Sequence, residues 1–492
     1  MVAPPVRLPG HMRPTSICSI FAMAACGGAA SNPGADDGTG VADTTVSTDS
    51  PTSSASAASA SSSSEGGPAG SDASATADDT TADTTADTGT DTAGPDACAD
   101  ATRWYVASGG DNSDGTSWSS AWNELDQIAW DAVQPGDCID IEGGTYHARL
   151  VPGRGGTADA RITLRRSVEP GHDGKVTFDF TNTPTPEYWS GLATIEQPYL
   201  TIDGGDWTLF EWIADSSCLL IVDNDTDDDY FELRNTKLGG YANPDGGGAT
   251  LCVFSGSVKL DHVWFGTQVG AEDHIKFVTE SHSALDIQNS VFTPWISING
   301  SHSDLIEQCW PGCEAGDLVF KNNLVWDSGE GGGNLVFTLD AHWTNIDVSH
   351  NVFKDTYSVF QFTTTGTQRI SNNVFYDVGS TFGGDGEWEA VNNIFVAPPD
   401  NSSIVWGSTA RYSLWDPQTY GYFDGEGNLQ ADPKFLDPED VLGPDGAAFT
   451  DDDGFNLQAD SPAIDAGTPT IDTVAIGGRP IRGMPDIGAY EH

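Results

Sequence analysis

Two segments of this chain place acidic, basic and imidazole groups where they could work together. Glu272-Asp273-His274-Ile275-Lys276 aligns with Ser303-Asp304-Leu305-Ile306-Glu307 at an offset of 31 residues. A third segment, Asn334-Leu335-Val336-Phe337, follows 30 residues on. If each offset is one turn of a repeating structure, Asp273, Asp304 and Asn334 form one column. Lys276 then stands over Glu307, and His302, two positions before Asp304, shares its face. Stacked carboxylates push their pKa values apart, which suits an acid/base pair. Neighbouring strands lie about 4.8 Å apart, close enough for one carboxyl to act as acid and the other as nucleophile. His274, His302 or Lys276 could instead take a proton from carbon. The competing reading is scaffold: a cross-strand Lys276–Glu307 ion pair, weak if exposed, with Asp and His satisfying bends.

The elements that must position these groups are written in a repeat from residue 202 to 395. Its first apolar column is Ile202, Leu233, Leu260, Ile287, Phe320, Val348, Ile370 and Ala390. Five residues later comes a second: Trp207, Leu238, Phe265, Phe292, Val325, Phe353, Phe375 and Phe395. Between them lie Gly204, Asn235, His262, Asn289, Asn322, His350, Asn372 and Asn392, each followed by a small or amide residue in most units. Units recur every 20 to 33 residues, as in a stacked-coil solenoid. Period-2 segments such as Leu285-Asp-Ile-Gln288 read as strands with one buried face. Asparagine tolerates the left-handed conformation that a tight bend between short strands requires. The fold class expected is all-β, a parallel β-helix, and the one stretch with a helix-like pattern is Trp122–Val133.

The chain of 492 residues carries a formal net charge of −53. Residues 1–97 hold 2 of the 20 basic and 12 of the 73 acidic residues, which leaves a net −43 in 98–492. Nucleic acid is excluded as a partner, because phosphate binding needs a basic footprint. Polyanions would be repelled unless metal ions intervene. Arg7 and Arg13 precede an apolar stretch, Ile17 to Ala25, and then Cys26-Gly27-Gly28. This resembles a bacterial lipoprotein signal, residues 1–26, with Cys26 lipidated; Met12 is an alternative start. Ordinary signal cleavage is the other reading. The lipoprotein resemblance implies the outer membrane or cell surface. Residues 27–100 are rich in Ser, Thr, Ala, Asp and Gly and read as a disordered linker. Six further cysteines, Cys98, Cys138, Cys218, Cys252, Cys309 and Cys313, fit an oxidising compartment. Neighbour pairing, 98–138, 218–252 and 309–313, is one of fifteen connectivities.

Both ends of the folded region carry recognisable text. Trp104-Tyr-Val-Ala-Ser-Gly-Gly-Asp111, Asp114-Gly-Thr-Ser-Trp118, Pro135-Gly-Asp137, Gly143-Gly-Thr-Tyr146 and Arg161-Ile-Thr-Leu164 resemble the opening of secreted β-helix proteins of the pectate-lyase-like superfamily. Ala431-Asp-Pro-Lys-Phe435, Ser461-Pro-Ala-Ile-Asp-Ala-Gly467 and Asp486-Ile-Gly-Ala-Tyr-Glu491 are similar to a closing module of surface β-helix proteins whose anchoring varies. The resemblance implies a right-handed parallel β-helix over 101–430 with a short N-terminal capping helix over Trp122–Val133, and a C-terminal closing module over 431–492. The superfamily includes polysaccharide lyases, hydrolases, epimerases and members without known activity, so the resemblance does not fix a reaction.

The resemblance implies a monomeric surface protein that binds and cleaves extracellular polysaccharide as a lyase or glycosidase. The site would hold Asp273, His274, Lys276, His302 and Asp304, with a uronic acid C5 proton as one target. The alternative is a non-catalytic adhesin or structural surface protein. Calcium is the one cofactor considered, at Asp223–Asp229 or Asp451–Gly454, where solvated loops explain the acids equally well. Trp189, Trp212, Trp295, Trp310 and Trp343 lie outside the columns and could stack on sugars or cover loops. If Cys26 carries the lipid, Cys26→Ser moves the protein from the membrane to the soluble fraction; unchanged membrane association would exclude that anchor.

Overall fold

The structure is a computed structural model. It describes residues 98–492 except 182, 184–190, 215–217, 225–229, 240–241, 279–281, 298–302, 309–313, 328–334, 340–341, 363–366, 384–388, 397–408 and 420–424. The strands form two sheets, one of 22 and one of nine among the described residues, here sheets I and II. Every pairing between named strands is parallel, and each strand pairs with its equivalent one coil away. The fold is therefore the expected right-handed parallel β-helix. A typical coil runs through Leu285–Gln288 and Val291–Phe292 in sheet I, then Asp304–Gln308 in sheet II.

The first apolar column is confirmed residue by residue. Ile202 pairs with Leu233, Leu233 with Leu260, and so on through Ile287, Phe320, Val348, Ile370 and Ala390. The second column differs at its first member. Trp212, not Trp207, stands opposite Leu238 and is fully buried. A turn in which the Asp206 carboxylate accepts from Thr208 lengthens that bend and displaces Trp207 outward. Further on, Phe353, Phe375, Phe395 and Trp415 stack ring on ring at 4.8–5.3 Å.

The corner between the two sheet I strands is left-handed in coil after coil. Asn235, His262, Asn289, Asn322, His350, Asn372, Asn392 and Tyr412 have φ between 49 and 58°. From Ser290 to Ser413 the residue after each corner builds a ladder inside the wall, whereas Val263 after His262 contributes only its backbone N–H. The backbone N–H of Asn323 donates to Asn351 Oδ1 at 2.9 Å, that of Asn351 to Asn373 Oδ1 at 3.0 Å, and that of Asn373 to Asn393 Oδ1 at 2.9 Å. Each Asn Nδ2 also donates to a carbonyl of the preceding coil, as Asn373 does to Val348 at 2.9 Å. Ser290 and Ser413 extend the ladder with hydroxyls.

The expected capping helix over Trp122–Val133 is absent. Trp122 forms a parallel bridge with Val106, and the next residues make only a 3-10 turn, Leu125–Gln127. The Glu124 carboxylate accepts from His147 and Ala148 backbone N–H groups, which ties this stretch to the adjoining loop. Leu125, Ile128 and Val133 still reach the core. Disulfides join Cys98 to Cys138 and Cys218 to Cys252, as neighbour pairing expects. Cys309 and Cys313 lie outside the described residues.

Residues 431–492 run along the flank of the solenoid as a strap. Phe435, Phe455, Leu457, Ile476 and Ile487 pack on an outward column of Val291, Leu324, Val352, Val374, Ile394 and Leu414. The Asn392 side chain donates to the Thr468 carbonyl and accepts from its N–H, both at 2.8 Å. Gly488, at φ 108°, donates to Asn392 O; a Cβ there would meet Ile394 at 2.8 Å. Asp472 pairs with Arg369, Lys321 and His350. Burial opposes its ionisation, but His350 and Arg369 hold its carboxyl well below the usual range. Asn373→Ala, which strips the acceptor from two Asn351 donors, should cost about 3 kcal/mol in urea unfolding; an effect under about 0.5 kcal/mol would mean the ladder is incidental.

Candidate functional site

The charged cluster is built by two neighbouring strands of sheet II, Gln268–Phe277 and Asp304–Gln308. Ile275 pairs with Ile306 and Lys276 with Glu307, which confirms the 31-residue offset. Three successive coils of this sheet turn two consecutive side chains inward. They are Leu305 and Ile306, Val336 and Phe337, and Val359 and Phe360. His274 and Ile275 occupy that inward pair one coil earlier, which leaves Asp273 and Lys276 on the outer face. The third coil departs from expectation, because Leu335 rather than Asn334 stands opposite Asp304. Asn334 itself lies outside the described residues, as does His302.

On that outer face Lys276 Nζ lies 2.5 Å from Asp273 Oδ2 and 2.6 Å from Glu307 Oε2. Asp273 Oδ1 accepts from the Asp304 backbone N–H at 2.8 Å. All four residues are buried, at 0–7% exposure. Part of the shielding is local. The preceding coil sets Cys252 beside Lys276 and Ala249 beside Asp273, within an apolar patch around the Cys218–Cys252 disulfide.

One ammonium cannot neutralise two carboxylates. Burial works against the charge on Lys276, yet Asp273 and Glu307 outweigh it and hold the ammonium charged above the usual lysine range. Glu307 moves the other way for a carboxylate. Burial first, then the Asp273 charge within hydrogen-bond reach, raise it well above the ordinary range, and Lys276 offsets this only in part. Lys276 therefore stays charged at neutral pH, and Glu307 holds its proton well beyond the point where an ordinary glutamate loses it.

His274 is not part of this outer face. Its ring packs among Phe265, Phe292 and Trp295 at centroid distances of 5.5–5.8 Å, and Nε2 lies 3.1 Å from the Thr293 carbonyl. Burial pushes it down to about 4, so it is a neutral core histidine. The expectation that His274 abstracts a proton fails on this placement. Glu307, set aside in the sequence as an ion-pair partner, belongs at the centre; its signal was its position one coil from Lys276.

No protein-family model and no curated protein matches the chain. Solved structures do. Pectate lyase Pel9A is 19% identical, covering 79% of this chain and 96% of its own, with a TM-score of 0.46. A rhamnogalacturonan lyase is 13% identical over 73% and 97%, at 0.34. The alginate lyase AlyGC is 13% identical over 72% and 59%, at 0.30.

The other expected features resolve differently. Trp212, Trp295 and Trp343 are buried and donate indole N–H bonds to Thr236, Ser303 and Gln308, so they are core rather than sugar platforms. Trp189 and Trp310 lie outside the described residues, as do Asp225–Asp229. Asp451 pairs with Arg479, Asp452 accepts from Thr450, and Asp453 accepts from Tyr490. Among the described residues no three acidic, His or Cys side chains form a metal-holding group.

The Glu307 shift has a pH consequence. Above the ordinary glutamate value of 4.5 the unfolded chain loses this proton while the folded chain keeps it. The stabilisation is full below that value and is lost as pH rises through the raised folded value. His274 acts oppositely, destabilising the fold as pH falls from 6.5 through about 4. Urea unfolding between about pH 7 and 9 therefore isolates Glu307. Wild type should lose stability across this window, and Glu307→Gln should lose at least about 1 kcal/mol less. A wild type no more pH-sensitive than Glu307→Gln would contradict the assigned charge state.

Proposed function

We propose that this chain is an exported β-helix protein that binds extracellular polysaccharide along the outer face of sheet II. In this reading Asp273 and Glu307 are the pair that cleaves a glycosidic link. The observation that carries it is the geometry of two carboxyl groups on adjacent coils, Asp273 and Glu307, both within 2.6 Å of Lys276 Nζ, with burial holding Glu307 above the ordinary carboxyl range. In this reading a bound sugar parts the two groups to the about 5 Å that such a pair needs, so that Glu307 gives its proton to the leaving oxygen while the Asp273 carboxylate takes the sugar carbon, and water then releases the sugar. Lyase chemistry through Lys276 fits less well, because a base that removes a proton from carbon needs a free lone pair and Lys276 is held charged. Asp304 orients the pair through its backbone N–H.

The burial of the cluster favours a second reading, in which the face binds polysaccharide without cleaving it. Lys276 bridges both carboxylates, and this closed arrangement stiffens the sheet as an ion triad would. Both readings place the protein outside the cytoplasm. Two disulfides suit an oxidising compartment. Among the described residues no helix is long and apolar enough to cross a membrane, and we assign attachment to a lipid on Cys26, with residues 27–100 as the tether.

A polysaccharide panel assayed for binding, new reducing ends and unsaturated ends, with and without calcium, separates these readings. Cleavage predicts reducing ends without unsaturation, and a drop of about 100-fold or more in kcat for Glu307→Gln and Asp273→Asn. Unsaturated ends would overturn the hydrolytic assignment. Binding without product from any polysaccharide selects the second reading, and absence of binding removes both.

A further inference from the structure

The strap divides the flank of the solenoid into two chemically different parts. Beneath it the outward column is aliphatic: Val291, Leu324, Val352, Val374, Ile394 and Leu414, all at most 1% exposed. Upstream, in the same column, stands Trp264, half-buried and open to water on one side. Trp207, displaced outward by its lengthened bend, lies 5.5 Å from it, and Trp326 lies 6.4 Å away on the other side. Both are also half-buried. The three indoles meet edge to face and pack against the edge of the cluster beneath the strap, each keeping part of its surface exposed.

A fourth aromatic comes from the strap. The Phe449 ring lies 6.0 Å from Trp207 and 6.4 Å from His262. Its φ is 68°, a left-handed conformation that a bulky side chain adopts at a cost. The Asp453 carboxylate holds it there by accepting from the Phe449 N–H at 2.9 Å. Polar groups edge the cluster: the Asp261–His262 pair, 35% and 42% exposed, and the half-buried Lys237.

We infer that this flank is a binding patch for a neutral pyranose chain, formed by Trp207, Trp264 and Trp326 with His262 and Phe449. A pyranose ring has a face of C–H bonds carrying partial positive charge, which the electron-rich face of an indole attracts. Its equatorial hydroxyls need donors and acceptors at the edge, and Asp261, His262 and Lys237 supply both. The net charge of −53 selects against polyanionic glycans. The inference rests on the polysaccharide reading above, but on a different face from Asp273 and Glu307.

Affinity electrophoresis through gels containing glucan, xylan or mannan, set against alginate and polygalacturonate, tests it with the intact chain. Retention by at least one neutral polymer should weaken about 10-fold in Trp264→Ala and recover in Trp264→Phe. Phe449→Ala, which lies outside the solenoid columns, should weaken it independently, with unfolding midpoints checking that each variant is folded. Neutral-glycan binding unchanged in Trp264→Ala and Phe449→Ala, yet lost in Asp273→Asn, would overturn the patch and leave the sheet II site standing. Binding confined to the polyanions would overturn it equally. No binding by wild type would remove both proposals.

Discussion

Each coil of this protein depends on one exchange of hydrogen bonds at its sharpest bend. A residue forced into the left-handed conformation reverses the chain, and the next residue offers an amide or hydroxyl to the coil before it. A backbone N–H at such a corner has no strand opposite it, so without that side chain it would be buried and unpaired. The ladder therefore fixes the coil-to-coil register before any apolar contact does so. The stacked Phe and Trp rings inside follow from that register, because a slip of one residue would turn them outward.

That same register explains what was legible in the sequence. Leu260, Ile287 and Phe320 could be aligned by eye because corner and column repeat together. The offset that set Lys276 over Glu307 follows from the same rule. Legibility fails where a coil changes length: the longer bend at Asp206 moved Trp207 outside, and Leu335 stands opposite Asp304 where Asn334 was expected. It fails again with direction. Simple alternation would put His274 and Asp273 on opposite faces without saying which is inside, and the two-residue inward turn of sheet II decides it. The helix expected near Trp122 gave way to tertiary pairing with Val106, a competition that local pattern cannot report.

The charge state of the cluster is likewise collective. Asp273, Lys276 and Glu307 each have an ordinary chemistry alone. Buried together with more carboxyl groups than cations, they raise Glu307 well above its ordinary range, and the disulfide patch on the adjoining coil helps exclude the water that would relax this demand. Composition could not show it, because the effect comes from which residues share a space.

The strap alters how the molecule comes apart. A bare solenoid is close to one-dimensional: each repeat touches only its neighbours, so the last coil can peel away at little expense to the rest. Here residues 431–492 bind coils as distant in sequence as Trp207 and Asn392. Loosening the final turn would also pull on contacts several coils upstream. Opening is thereby converted from a sequence of small steps into a larger joint event, which slows attack by proteases that need a locally released end.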